Sequence, residues 1–259
     1  ESNYSERDKI SFSPSSLNTC GRALYYKYTD TPASNEVSTH AYLKMLMGTT
    51  IHAEIEKILK EIGIYESGEE LKEKNLFSLN FRYMVDGVLR INEKRYIFEL
   101  KTVYASGYNS IEREPKIEHV MQLLSYMHLE KIDNGILLYI GRDNGYMIEY
   151  NLVIEDGNLY INHYEKNNYL EEFNGLIIKL KDIEKHIETE ILPARDYQIV
   201  MKNTKGEISE KFTKDKVNYK SDWQCSYCKW KDLCWEKELK EINNNKFYIG
   251  GKFYGEKAG

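Results

Sequence analysis

Between Gly48 and Gly63 the apolar residues Ile51, Ile55, Ile58, Leu59 and Ile62 recur three or four positions apart. That spacing puts one apolar stripe along a helix. From Phe81 to Thr102 the rhythm changes to β-branched and aromatic runs. FRYMVDGVLR and RYIFELKT flank Ile91-Asn92-Glu93-Lys94 and read as the two strands of a hairpin. Ile117 to Lys131 returns to helical spacing. Gly135 to Gly141 suits a short buried strand, Arg142-Asp143-Asn144-Gly145 a turn, and Tyr146 to Val153 the next strand. Asn162 to Leu192 reads as a long helix, broken near Gly175 and ended by Pro193. Upstream, Ser13 before Pro14 suits the start of a short helix, with Cys20 on it or just after it. Residues 196 to 221 are lysine-rich and weakly apolar, as expected of a mobile connection or insertion. Trp223 to Glu241 carries three cysteines and then a short charged helix.

Helices alternating with strands predict an α/β fold with a central mixed sheet. At 259 residues the chain is long enough for one large domain, taken as residues 1–259. The net charge of −5 leaves no chain-wide basic footprint, so any nucleic acid would have to meet a local basic patch. No apolar run is long enough to span a bilayer. The polar stretch from Glu1 to Ile10 has no signal-peptide pattern, which predicts a cytoplasmic protein. A chain that starts at a glutamate is expected to be trimmed or processed. No G-x-x-x-x-G-K-[ST] loop is present, so a motor of that type is excluded.

Candidate chemistry enters at the hairpin. With a turn of two residues, Asn92 and Glu93, or of four, Ile91 to Lys94, paired positions sum to 185 and Asp86 lies opposite Glu99. Side chains alternate with period two, so Lys101 shares the face of Glu99. Opposed carboxylates repel unless a cation stands between them. Mg²⁺ or Mn²⁺ suits such oxygen ligands. An exposed strand face with ordinary charged residues is the alternative. His52 borders the apolar stripe of its helix, where a structural histidine and a ligand both remain open. Gln122 and Tyr126, four apart, point to one side of theirs. Cys225, Cys228 and Cys234 form C-x2-C-x5-C, with Cys20 far upstream. Thiolates at such spacing hold zinc or an iron–sulfur cluster. Nothing suggests the secreted setting in which they would pair as disulfides.

Taken in order, these residues resemble the RecB-like branch of the PD-(D/E)XK nuclease superfamily. Gly48-Thr49-Thr50-Ile51-His52 is similar to its helical histidine motif and Val85-Asp86-Gly87 to its aspartate motif. Glu99-Leu100-Lys101 is similar to E-x-K, and Gln122-Leu123-Leu124-Ser125-Tyr126 to Q-x-x-x-Y. SPSSLNTCGRALYY and DWQCSYCKWKDLC resemble the flanks of the cysteines in the iron–sulfur members. Those members include the CRISPR-associated RecB-like exonucleases and related phage proteins. The likeness covers about residues 11 to 235. Each motif alone is unspecific, and the ordered set with four cysteines is specific. Gly87 follows the aspartate and no proline precedes it, a departure from the superfamily signature that is common in this branch.

The resemblance implies a restriction-endonuclease-like core at about 36–195, a central mixed sheet flanked by helices. It implies a [4Fe–4S] cluster on Cys20, Cys225, Cys228 and Cys234 that joins segments at about 11–30 and 221–241. It implies Mg²⁺ or Mn²⁺ on His52, Asp86, Glu99 and the Leu100 carbonyl, with Asp86, Glu99, Lys101, Gln122 and Tyr126 as the catalytic set. The implied activity is a metal-dependent DNA exonuclease on single-stranded ends, 5′ to 3′, in CRISPR spacer acquisition or phage recombination. The alternative is a DNA-end binding module serving a CRISPR integrase or a recombination complex, with minor or conditional cleavage.

Overall fold

A computed structural model describes residues 10–35, 39–68, 70–197, 199–201, 219–221, 223–236, 246–249 and 252–256. Strand β1, Ser11–Phe12, comes first. Pro14 starts only a 3₁₀ turn, Pro14–Ser16, and the Ser13 side chain does not cap it. The Ser16 amide and hydroxyl both donate to the Ser13 carbonyl instead, at 2.8 and 2.6 Å. Helix α1 follows at Gly21–Tyr28, with Cys20 at its N-cap. Helix α2, Thr39–Glu61, begins nine residues before Gly48, where the predicted helix starts. Its early residues Tyr42, Leu43, Met45, Leu46 and Met47 are exposed, so no one-sided pattern marked them.

Strands β2 (Tyr65–Ser67), β3 (Lys72–Leu76), β4 (Leu79–Tyr83), β5 (Gly87–Ile91) and β6 (Lys94–Val103) come next. The run FRYMVDGVLR is therefore two strands, broken at Met84, Val85 and Asp86. The two belong to different sheets, and an unbroken apolar pattern cannot show that. After β6 come α3 (Tyr108–Arg113), α4 (Ile117–Glu130), β7 (Asn134–Gly141) and β8 (Met147–Glu155). Then follow β9 (Asn158–Ile161), β10 (Tyr164–Glu165) and α5 (Asn167–Glu188). Helix α5 starts later than its pattern suggested because Asn162 and His163 turn the β9–β10 hairpin at positive φ. It continues through Gly175 without a break.

Contacts divide the chain into two units, Glu1–Asn18 with Thr39–Asp182, and Thr19–Ser38 with Ile183–Gly259. In the first, seven strands form a mixed sheet in the order β10-β9-β8-β7-β6-β5-β2, and β1-β4-β3 form a smaller one. Only β6 and β7 pair in parallel within the large sheet; α3 and α4 make the crossover between them, as a parallel connection requires. The β5–β6 ladder runs from Gly87↔Phe98 to Ile91↔Lys94, so its turn has two residues, Asn92 and Glu93. Both are at positive φ, 46° and 67°, the type I′ geometry that matches strand twist.

The sheet's two faces separate by parity. Leu89, Phe98, Leu100, Ile136 and Ile140 form a cluster against Ile51, Ile55 and Leu59 of α2. Odd-numbered positions of β6 and β7 turn the other way, toward α4, where Gly135 passes Met127 and Leu123 closely. Helix α4 is buried nearly all round, from Val120 to Met127, as a helix covered on both sides must be. In the second unit, Ile199–Met201 pairs with Tyr219–Ser221. Residues 202–218 of the lysine-rich stretch, and residues 237–241 where a charged helix is expected, lie outside the described residues.

Candidate active site

Period-two alternation on β6 sends Glu99 and Lys101 to the α4 face while Leu100 faces α2. Glu99 is 2 % exposed. Its Oε1 accepts the Lys101 ammonium at 2.6 Å. Lys101 Nζ also donates to Gln122 Oε1 at 2.9 Å, and Gln122 Nε2 to the Tyr126 hydroxyl at 3.0 Å. The i,i+4 spacing on α4 thus holds Gln122 between the lysine and a buried tyrosine. Glu99 Oε2 is buried and without a hydrogen-bond partner. Burial first, and then the charge of Asp86, push the Glu99 carboxyl up to about 7, although Lys101 and His52 pull it down. Burial likewise raises the Tyr126 phenol, with Glu99 adding to the effect.

Asp86 lies one residue outside the β5–β6 ladder, in the bend after β4. Its carboxylate is held by the backbone of β6 and faces α2. Oδ2 accepts the Leu100 amide at 2.8 Å and Oδ1 lies 3.4 Å from His52 Nδ1. That hydrogen bond is the main reason the His52 imidazole is raised above its usual range, with burial opposing it. His52, Glu56, Asp86, Phe98 and Leu100 line one small cleft. Next to Asp86, a Cβ on Gly87 would press on the Tyr65 ring at 3.0 Å.

The three side chains expected to seat the ion, His52, Asp86 and Glu99, all lie among the described residues. Among the described residues no group of three or more His, Cys, Asp or Glu side chains is arranged to hold a metal ion. The physical reason is local: Asp86 is committed to Leu100 N–H and His52, and Glu99 turns one oxygen to Lys101. A divalent cation still fits the donor set. Mg²⁺ usually takes one or two carboxylates and keeps several waters, and Glu99 Oε2 is a buried acceptor with nothing to accept. Sequence reasoning missed Glu56, one helical turn beyond His52, although the i,i+4 spacing was there to find it.

The cysteines belong to the second unit and none is disulfide-bonded. Burial is the main cause that raises the Cys225 thiol, to about 11, and the Cys228 thiol; Cys20 and Cys234 add to both. Arg22 reaches Cys234 Sγ at 3.8 Å, and the Trp230 amide donates to Cys228 Sγ at 3.4 Å. The neighbouring segments are tied directly. Trp230 Nε1 donates to the Thr31 carbonyl at 2.9 Å, and the Ser34 and Asn35 amides to the Lys229 carbonyl. A single zinc about 2.3 Å from each sulfur would need thiolates about 3.8 Å apart. The finding that no three ligands share an ion covers the described cysteines too.

No protein-family model matches the chain, and no curated protein matches it. Among solved structures it is similar to SSO0001, with TM-score 0.49 and 18% identity over 89% of each chain. It is also similar to an alkaline exonuclease from Laribacter hongkongensis, LHK-Exo, with TM-score 0.46 and 13% identity. The same exonuclease in complex with dAMP gives TM-score 0.46 and 14% identity. Both LHK-Exo matches cover 70% of this chain and 91% of that one.

Proposed function

We propose that the chain is a metal-dependent deoxyribonuclease that degrades DNA from single-stranded ends, with a [4Fe–4S] cluster on Cys20, Cys225, Cys228 and Cys234. The observation that carries the reading is the partnerless oxygen of buried Glu99, beside Lys101 and within the field of Asp86. Natural proteins seldom leave a buried polar atom unsatisfied without a use for it.

In this reading Asp86, Glu99 and the Leu100 carbonyl, with His52, hold Mg²⁺ or Mn²⁺. The ion, when bound, lowers the pKa of a water and stabilises charge on the phosphate. Lys101 is pinned by Glu99 and Gln122, so its ammonium points a fixed positive charge and a proton donor at the same place. Gln122 positions that lysine and Tyr126 positions Gln122. Water attacks phosphorus, the bond to the bridging oxygen breaks, and the departing oxygen takes a proton. Cleavage from 5′ to 3′ and a place in CRISPR spacer acquisition or phage recombination follow the resemblance in sequence.

The test is degradation of oligonucleotides labelled at the 5′ or the 3′ end, with Mg²⁺, Mn²⁺ or chelator. Wild-type protein should release label in a metal-dependent, end-dependent way. Glu99→Gln and Asp86→Asn should lose at least a hundredfold in rate with little loss of thermal stability. Near wild-type activity in either variant, with the protein folded, shows the site misassigned. Tight DNA binding without turnover by wild-type protein favours an end-binding module.

A further inference from the structure

Helix α2 and strand β6 run side by side in opposite senses, and their side chains meet in steps. Glu56 and His52 share the small cleft with Phe98 and Leu100. One turn back, Gly48 lies against Thr102, where a Cβ would be 3.4 Å from its Oγ1. One turn further back, Lys44 Nζ stands 5.5 Å from the centre of the Tyr104 ring. Four helical residues advance about 6 Å and two strand residues about 6.6 Å, so the pairing holds over this distance. Tyr104 therefore lies about 12 Å along α2 from the level of His52.

At that end the side chains change character. Arg142 also stands over the Tyr104 ring, at 5.3 Å. Its guanidinium is fixed to Thr102, by Nε to Oγ1 at 2.8 Å and by Nη2 to the carbonyl at 3.3 Å. Among the described residues neither Lys44 nor Arg142 makes a salt bridge, in a chain of net charge −5. The carboxylate of the same turn, Asp143, is occupied by the Ala105 amide at 3.0 Å. Tyr146, from this turn, pairs with Tyr108 of α3, ring centres 5.8 Å apart, and is 63 % exposed. An aromatic pair with one ring largely exposed, beside two cations that make no salt bridge among the described residues, matches the chemistry of unpaired nucleotides, whose bases stack and whose phosphates need cations.

We propose that Lys44, Tyr104, Tyr108, Arg142 and Tyr146 form a grip for single-stranded DNA about 12 Å along α2 from the level of His52. The proposal rests on the nuclease reading above. Tyr146 and Tyr108 take the faces of bases, and Lys44 and Arg142 take phosphates. Duplex DNA, whose bases are already stacked, offers this surface only its phosphates.

The grip is tested by metal-free binding of labelled oligo(dT) and of a blunt duplex of equal length, by fluorescence anisotropy across a salt series. Tyr146→Ala should weaken oligo(dT) binding about tenfold, whereas Tyr146→Phe should bind as wild type. Lys44→Ala and Arg142→Ala should each reduce the slope of log affinity against log salt by about 0.7. Oligo(dT) affinity unchanged in the Tyr108→Ala/Tyr146→Ala double variant, with wild-type melting, overturns the grip. So does wild-type protein that binds duplex as tightly as oligo(dT), or losses confined to the two cation variants. Failure of the nuclease reading registers separately, as wild-type protein that binds oligo(dT) yet never cleaves it with Mg²⁺ or Mn²⁺.

Discussion

His119 shows what burial does to one ionisable group in this protein. Its Nδ1 lies 3.0 Å from the Tyr139 hydroxyl, which also accepts the Lys116 amide. Burial, with Lys101 and Lys116 adding repulsion, pushes its pKa down to about 3. The unfolded chain protonates this ring near pH 6.5, and the folded one does not until about pH 3. Stability should therefore fall as pH drops through that window, by at most about 1.4 kcal/mol per pH unit. His119→Gln should flatten the fall between pH 6 and 4, read by urea unfolding. An identical pH slope in the variant would show that the ring is protonated in the folded state. The same burial acts on Glu99 in the opposite sense, because burial disfavours the charged form and for a carboxyl that is the deprotonated one.

At the scale of elements, Gly175 is the clearest liability. It lies exposed inside α5, and a Cβ there would meet nothing within 4 Å. Glycine in a helix interior costs about 1 kcal/mol relative to alanine. Gly175→Ala should therefore raise stability by about that amount, seen as a higher denaturant midpoint with an unchanged slope. The same glycine suggested a break from sequence, and burial of Phe173, Leu176, Ile177 and Leu180 overrides that local preference. The β5–β6 hairpin was legible because its turn length and its apolar alternation agree. What stayed hidden was the bend at 84–86, since Met84 and Val85 continue the strand pattern while the chain changes sheets. That bend leaves Asp86 one residue outside the ladder, and its bonds to the Leu100 amide and to His52 could not be read from the pattern. The tyrosines beside Arg142 were also illegible. With 22 tyrosines in the chain, only the fold selects Tyr108 and Tyr146.

For the whole molecule, the cysteines decide how distant parts of the chain are tied. Soft thiolate ligands select zinc or iron–sulfur clusters, and the resemblance in sequence favours the cluster. Protein purified without oxygen should be brown, with iron and sulfide in equal amounts. Cys228→Ser should bleach it and lower its melting temperature, because closing a loop of about 100 residues is worth about 4.7 kcal/mol in the disulfide case. Colourless protein with one zinc and full activity would exclude the cluster. The division of the chain adds a matter of timing. Thr39–Asp182, nearly all of the first unit, lies between the two parts of the second. A ribosome releases Cys20 about two hundred residues before Cys225, an interval of about 10–40 s at 5–20 residues per second. Synthesis of Thr39–Asp182 is complete before the last three thiols exist. The order of synthesis thus puts the sheet that carries the carboxylates first and the sulfur ligation last, and until then Cys20 waits as a lone thiol.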